Sequence, residues 1–314
     1  MSPRPTIVDV AERSGASKST VSYVIRGGAH VSPDLRRRVL AAVEELGYRP
    51  NGLARQLVLR RTSTIGVVVG DLANPFYGEL VKRLERHAHE AGYATSVSNT
   101  DGHPEREAAR VEALLEQRVA GIVMLQFGGD REILDEVIAD GTPVAVVSST
   151  EPRVDSVGVD ERVGLALAVR HLAGLGHERI AYVTSPLVEE RTNTIRYESF
   201  ARACRETGCV ETPLDEATAV AAANDILAIE LVDRLEHAGR RVPADVSVVG
   251  FDGIAVGGLA RIGLTTVAQP HEELASAGIR LLLDRVAGGL EGPPRRILLE
   301  PRLLVRATTA RKER

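Results

Sequence analysis

The sequence predicts a small all-helical head, residues 1–48, a short hinge and linker at 49–61, and a two-lobed α/β core of parallel, doubly wound sheets over 62–314. Three observations carry this. At 314 residues the chain is too long for one small module and suits two or three domains. Charge divides at residue 61: of 39 Lys+Arg and 43 Asp+Glu, residues 1–61 hold 11 and 5, which leaves 28 and 38 for the remainder. Head and hinge together, residues 1–61, are therefore net +6 and the body net −10. Apolar spacing changes at the same place, from helical periodicity to short continuous apolar runs separated by amphipathic stretches.

The rest of the composition narrows the class. With 44% hydrophobic and 26% charged residues the chain reads as globular. No run of about 18 apolar residues exists to span a membrane. The opening MSPRPTIVDVAERSG has no apolar h-region, which predicts a cytoplasmic rather than a secreted protein. Cys204 and Cys209, five apart, form neither a metal spacing nor a disulfide framework, as expected in a reducing compartment. Aromatics are only 3%, so the core must be aliphatic.

In the head, Ile7, Val10 and Ala11 make one apolar helical face behind Thr6 as N-cap, and Gly15 ends that helix. Ser17 caps a second helix, KSTVSYVI, with Val21, Val24 and Ile25 inward. A third starts at Ser32-Pro33, buries Leu35, Val39, Ala42, Val43 and Leu46, and stops at Gly47. Two short helices joined at a tight turn and braced by a third make a helix-turn-helix, whose second helix presents its N-terminal residues to the major groove. Its outward positions are Lys18, Ser19, Ser22 and Tyr23, all able to hydrogen-bond. A purely structural three-helix bundle is the alternative.

The segment YRPNGLARQLVLRR, 48–61, predicts a helix of about two turns, too short to be stable alone in water. Leu53 and Leu57 then lie among Arg49, Arg55, Arg60 and Arg61. Arginines on phosphates flanking a leucine that unstacks a base step would make a minor-groove wedge. Packing of Leu57 against a second copy is the alternative.

TIVDVAERSGASKSTVSYVIRG followed by SPDLRRRVLAAVEELGYRPNGLARQL resembles the start of LacI-type (lactose-repressor/purine-repressor) transcription regulators, and the resemblance extends over nearly the whole chain. It implies that Lys18, Ser19 and Tyr23 read bases and that Leu57 intercalates. The DNA-binding candidates are thus Thr6, Ser17, Lys18, Ser19, Ser22 and Tyr23 in the head, with Asn51, Ala54, Arg55 and Leu57 in the hinge. Val58 replaces a frequent basic residue, which would weaken one backbone contact.

In the body, strands are expected at 65–70, 93–99, 121–127 and 143–149, with helices near 76–91, 105–118 and 131–140. A second series has strands at 179–185, 218–223 and 245–251, with helices near 193–207, 225–238 and 271–287. Such lobes place a ligand cleft at the carboxyl ends of their strands. The resemblance implies a periplasmic-binding-protein-like core and names the cleft residues. Phe76 and Tyr77 belong to DLANPFY, Asn224 to A-x-N-D, Asp252 to G-F-D, and Gln269 to the Gln-Pro after LTTVA. Arg196 matches the ligand arginine, although Ser199 stands where its motif has glycine; Arg191 is a second candidate. Ser148 replaces a frequent aspartate. Asn74, Asn224 and Asp252 also suit helix N-caps.

No nucleophile elbow, P-loop, H-E-x-x-H or dinucleotide fingerprint occurs, and His87 and His89 sit two apart rather than four, so neither an enzyme nor a metal or cofactor is expected. A free-standing sugar-binding protein would not carry the basic head. The expectation is a homodimeric repressor on a pseudo-palindromic operator, modulated by a sugar or nucleoside-like effector, with no membrane partner. One departure stands out. First strand to third spans 56 residues in the first lobe but 39 in the second (179 to 218), where only GCVETPLDEA follows the helix. The second lobe should lack one strand–helix unit, with RIAYVTS as its new edge, which invites association or needs a cover that only GCVETPLDEA lies near enough to supply. Either the cleft is altered, or the protein regulates without a ligand.

Overall fold

Local capping decides where the head helices begin. In the computed structural model Thr6 and Asp9 form a reciprocal capping box: the Asp9 carboxylate accepts from the Thr6 amide at 2.7 Å, and the Thr6 hydroxyl accepts from the Asp9 amide at 3.4 Å. This starts α1 (Ile7–Ser14), which Gly15 ends at φ +67°. The Ser17 hydroxyl accepts from the Thr20 amide at 3.1 Å and opens α2 (Lys18–Ile25). Ser32 caps α3 (Pro33–Leu46). Val10, Val21, Val24, Val39 and Ala42 fill the centre, joined by Tyr48 at the end of the head.

The structure describes residues 5–25, 31–48, 62–125, 131–185, 190–288 and 291–312. The chain divides into two compact units after Thr62.

The second unit alternates strands and helices. In chain order these are β1 (Thr64–Val69), α4 (Pro75–Glu90), β2 (Ala94–Asn99), α5 (Pro104–Glu116), β3 (Gly121–Leu125), α6 (Arg131–Asp140), β4 (Val144–Val147) and β5 (Asp155–Val159). Next come α7 (Glu161–Gly174), β6 (Arg179–Val183), α8 (Glu190–Thr207), β7 (Val210–Glu211), β8 (Ala219–Ala222), α9 (Asp225–His237), β9 (Ser247–Asp252) and β10 (Thr265–Ala268). Finally α10 (His271–Gly288) leads to β11 (Arg296–Leu299) and β12 (Arg302–Leu304). The strands assemble into two six-stranded sheets, β11-β5-β4-β3-β1-β2 and β12-β10-β9-β8-β6-β7. Every pairing is parallel except that of β12 with β10. Each sheet is covered by helices on both faces, so the central strands are buried aliphatic runs. The chain passes between the lobes three times: from β5 into α7, from β10 into α10, and from β11 to β12.

In the second lobe the GCVETPLDEA segment does lie along the expected edge, and it does so as a short strand. RIAYVTS is not a bare edge, because β7, from the GCVETPLDEA segment, pairs with its first half. The Val210 amide donates to Glu178 at 2.7 Å and the Thr212 amide to Ile180 at 3.1 Å. The second strand is therefore cut to two residues rather than lost. Its following helix is absent, replaced by a turn in which the Glu216 and Ala217 amides both donate to Pro213. The reason is physical: unpaired backbone groups at a sheet edge favour capture of whatever extended segment lies beside them.

Candidate nucleic-acid surface and effector cleft

On α2, Lys18 and Ser19 are exposed at the N-terminal end and Tyr23 is 36% exposed, while Ser22 is half-buried. Val21 and Val24 anchor the opposite face of the same helix. Ser17 and Thr6 are exposed, but both hydroxyls serve as caps. Asn51, Ala54, Arg55 and Leu57 lie outside the described residues.

A cavity of about 340 Å³ opens between the two lobes of the second unit. It brings together Phe76, Tyr77, Arg196, Asn224, Asp252 and Gln269, which the sequence scatters over nearly two hundred positions. Arg191 belongs to the first turn of α8, but its side chain lies outside the described residues. Asn74 caps α4 by accepting from the Phe76 amide at 3.0 Å, which fixes the two aromatics at the cavity wall. Phe76 itself is 3% exposed and packs edge-on against Tyr77 and His271, so Tyr77 is the aromatic with surface to offer. Asn224 accepts from the Leu227 amide at 2.9 Å and caps α9 while lining the cavity.

Arg196 sits at the cavity floor, held by its own chain. Its Nε and one terminal nitrogen donate to the two Glu161 oxygens at 2.8 and 3.1 Å, and the other terminal nitrogen donates to the Ala223 carbonyl. The guanidinium stacks 4.0 Å above the Phe251 ring and lies 3.9 Å from Asp252. Burial opposes its charge, but Glu161 and Asp252 outweigh burial and raise its pKa. Of five N–H donors, three are engaged in these bonds.

Asp252 ends β9 with φ +128° and accepts from the Gln269 amide nitrogen at 2.8 Å. Burial pushes its carboxyl well above the ordinary carboxylate range; Arg196 opposes this and nearby Asp225 reinforces it. Asp225 is a structural carboxylate, accepting from the Gly253 and Ile254 amides at 2.8 Å and from the Thr266 hydroxyl. The Gln269 carbonyl oxygen is buried without a partner among the described residues. Among those residues no cluster of His, Cys, Asp or Glu could hold a metal ion, and no helix is long and apolar enough to cross a membrane.

Sequence reasoning missed Glu161, because α7 (ERVGLALAVRHLAG) is apolar on nearly every side and shows little periodic contrast. It also missed Glu230, one α9 turn beyond Ile226 and Leu227 on the same cavity wall, for which no sequence signal existed. Ser148 lines the cavity in a left-handed conformation, φ +73°.

Residues 6–51 match the family described as bacterial regulatory proteins, lacI family. Residues 62–217 match the periplasmic binding proteins and sugar binding domain of LacI family, and 169–309 a periplasmic binding protein-like domain. The chain is 32% identical to the HTH-type transcriptional regulator DegA of Bacillus subtilis, over 98% of each protein. It is 32% identical to the ribose operon repressor of Escherichia coli, over 90% of this chain and 93% of that one. Among solved structures, the lac repressor dimer bound to operator and the anti-inducer ONPF superposes with a TM-score of 0.86 at 29% identity, over 98% of this chain and 100% of that one. A ribose-bound LacI family regulator from Enterococcus faecium gives 0.70 at 29%, over 80% and 100%.

Proposed function

Because the chain belongs to the LacI family of bacterial regulatory proteins, we propose that it is a repressor that binds a pseudo-palindromic operator as a homodimer and answers to a small effector in the interlobe cleft. The observation that carries the DNA reading is the outward N-terminal end of α2, with Lys18, Ser19 and Tyr23 exposed on the second helix of the head, in a 61-residue segment that is net +6. Lys18 suits a phosphate or a guanine edge, and the Ser19 and Tyr23 hydroxyls suit base edges. A two-fold dimer requires a two-fold site. In this reading Leu57, with Asn51, Ala54 and Arg55, forms a hinge helix that wedges the central minor groove.

The test is fluorescence anisotropy on a selected operator and on random duplex across a salt series. Specific affinity should exceed random and fall steeply with salt. Tyr23→Ala should relax base preference at a cost of about 1–3 kcal/mol. Equal affinity of the intact protein for both duplexes rejects the proposal.

For the effector, Tyr77 offers a stacking face, while Arg196, Asp252, Asn224 and Gln269 offer donors and acceptors to adjacent hydroxyls. That array supports a small polyhydroxylated or nucleoside-like molecule, tested by a thermal-shift screen with Asp252→Ala as control. A second reading, regulation without a ligand, is favoured by Glu161 already satisfying Arg196. Operator affinity unchanged by every stabilising compound would select it.

A further inference from the structure

We propose that the cleft admits an uncharged polyhydroxylated effector and excludes its phosphorylated or carboxylated counterparts, with Glu161 as the residue that sets this choice. The inference rests on the cleft being the effector site. An anionic ligand needs a cation it can neutralise. Among the described residues lining the cavity, Arg196 is the single cation, and Glu161 already grips two of its nitrogens at 2.8 and 3.1 Å. The pair is neutral, and it is rigid because Phe251 stacks beneath the guanidinium and Ala223 accepts from its far side.

What remains on the walls is acidic. Asp71, from the first lobe, spends one oxygen on the Ala73 amide at 2.8 Å, and Glu230, from the second, is exposed at the rim. A phosphate entering this cavity meets the Asp71 and Glu230 carboxylates, the buried Asp252 carboxyl and no uncompensated positive charge, in a setting where water screens only partly.

An independent observation points to the donor a ligand must bring. Gln269 is 6% exposed, its amide nitrogen is committed to Asp252, and its carbonyl oxygen is buried at the cavity wall without a donor among the described residues. Such an acceptor costs free energy until a hydroxyl or N–H reaches it. A hydroxyl supplies that donor without adding charge; an ionised phosphate or carboxylate supplies none.

The test has two arms, both on the full-length protein. The first titrates the wild type, by calorimetry and thermal shift, with matched pairs: neutral sugars against their phosphates and acids, and nucleosides against nucleotides. Each compound that binds should weaken by about tenfold or more when its charged partner is substituted. The second uses inorganic phosphate as the probe. Wild type should show no stabilisation beyond that of chloride at equal ionic strength, Glu161→Gln should gain it, and Glu161→Gln with Arg196→Gln should lose it again. The head is common to all three proteins, so the difference reads the cleft. If a charged partner binds as well as its neutral parent, and Asp252→Ala abolishes both, the charge inference falls while the effector reading stands. If neither arm registers binding in any protein, the effector reading itself falls and takes this inference with it. The first arm needs no variant, so a Glu161→Gln that fails to fold leaves the inference open to refutation.

Discussion

Asp155 is 3% exposed and yet ionised, because two guanidinium groups close on it: Arg285 at 2.8 and 3.0 Å, and Arg295 at 2.6 and 3.1 Å, with the Arg295 amide adding a fifth bond at 2.7 Å. Burial alone would raise its pKa, but these bonds overcome it and hold the carboxyl at about 2 against an ordinary 3.8. A depressed carboxylate stabilises the fold fully above its unfolded pKa and loses that contribution as pH falls from about 4 to about 2. The linked amount is about 2 kcal/mol. Asp155→Asn should therefore cost about 3–5 kcal/mol in urea unfolding at pH 7, since it leaves the largely buried Arg285 without its carboxylate, while Arg295 keeps Asp284. Its acid denaturation should also be flatter between pH 4 and 2; a parallel profile would show that the charge contributes nothing. Glycine supplies a contrast in sign. A Cβ on Gly164 would stand 2.6 Å from the Phe251 ring, whereas one on Gly174 would meet nothing within 4 Å. Gly164→Ala should thus destabilise by about 1–3 kcal/mol through overpacking, and Gly174→Ala should gain about 0.5–1 kcal/mol. Equal melting shifts would discredit the packing argument.

At the scale of elements, the sheet edge makes the next prediction. Val210 is 60% exposed, so its side chain packs little, but its amide bonds to Glu178 at 2.7 Å. Val210→Pro removes that donor and should release β7, costing about 1–2 kcal/mol and uncovering the lower half of β6. Sedimentation velocity should then reveal added self-association; a lower melting point without it would mean that the turn at Pro213 still covers the edge. The same segment shows where sequence reading stops. Long amphipathic helices such as α4 and buried runs such as IGVVVG were legible, because periodicity and β-branching mark them. β7 was not, since two residues carry no period. β5, DSVGV, holds Asp and Gly, which strands disfavour, and α7 is apolar on too many sides to show one face. Of the cavity lining, Phe76, Tyr77, Arg196, Asn224, Asp252 and Gln269 were legible through motif resemblance. Glu161 was not, because the helix carrying it went unrecognised, and its partner Arg196 is 35 residues away in sequence.

At the scale of the second unit, the two lobes are joined by three short crossings, an arrangement that allows rigid-body rotation about a common hinge. A ligand between them acts only through unequal affinity for two lobe arrangements, so the contacts that set the unliganded balance matter as much as the cavity. Glu79 on α4 makes such a contact. One of its oxygens accepts from the Ala255 amide of the opposite lobe at 2.8 Å, and the other lies 3.4 Å from His271. His271, at the start of the second crossing, faces the Asp252 carbonyl with its other ring nitrogen at 2.9 Å; burial lowers its pKa, opposed by that bond and by Glu79. Glu79 thereby ties the first lobe to the loop after β9. A hydrogen bond to a charged acceptor contributes about 1.5–3 kcal/mol. Glu79→Ala should therefore shift the lobe equilibrium toward the open form by roughly ten- to a hundredfold, while Glu79→Gln, which keeps an acceptor for Ala255, should shift it less. Spin labels on exposed Glu136 of α6 and Glu236 of α9, one on each lobe, report the change as longer and broader distances in the alanine variant. By linkage, the variant that opens most should also alter operator affinity most, in the direction opposite to a ligand that closes the cleft. Identical distance distributions in all three proteins would reduce the Glu79–Ala255 bond to a surface contact with no part in the equilibrium.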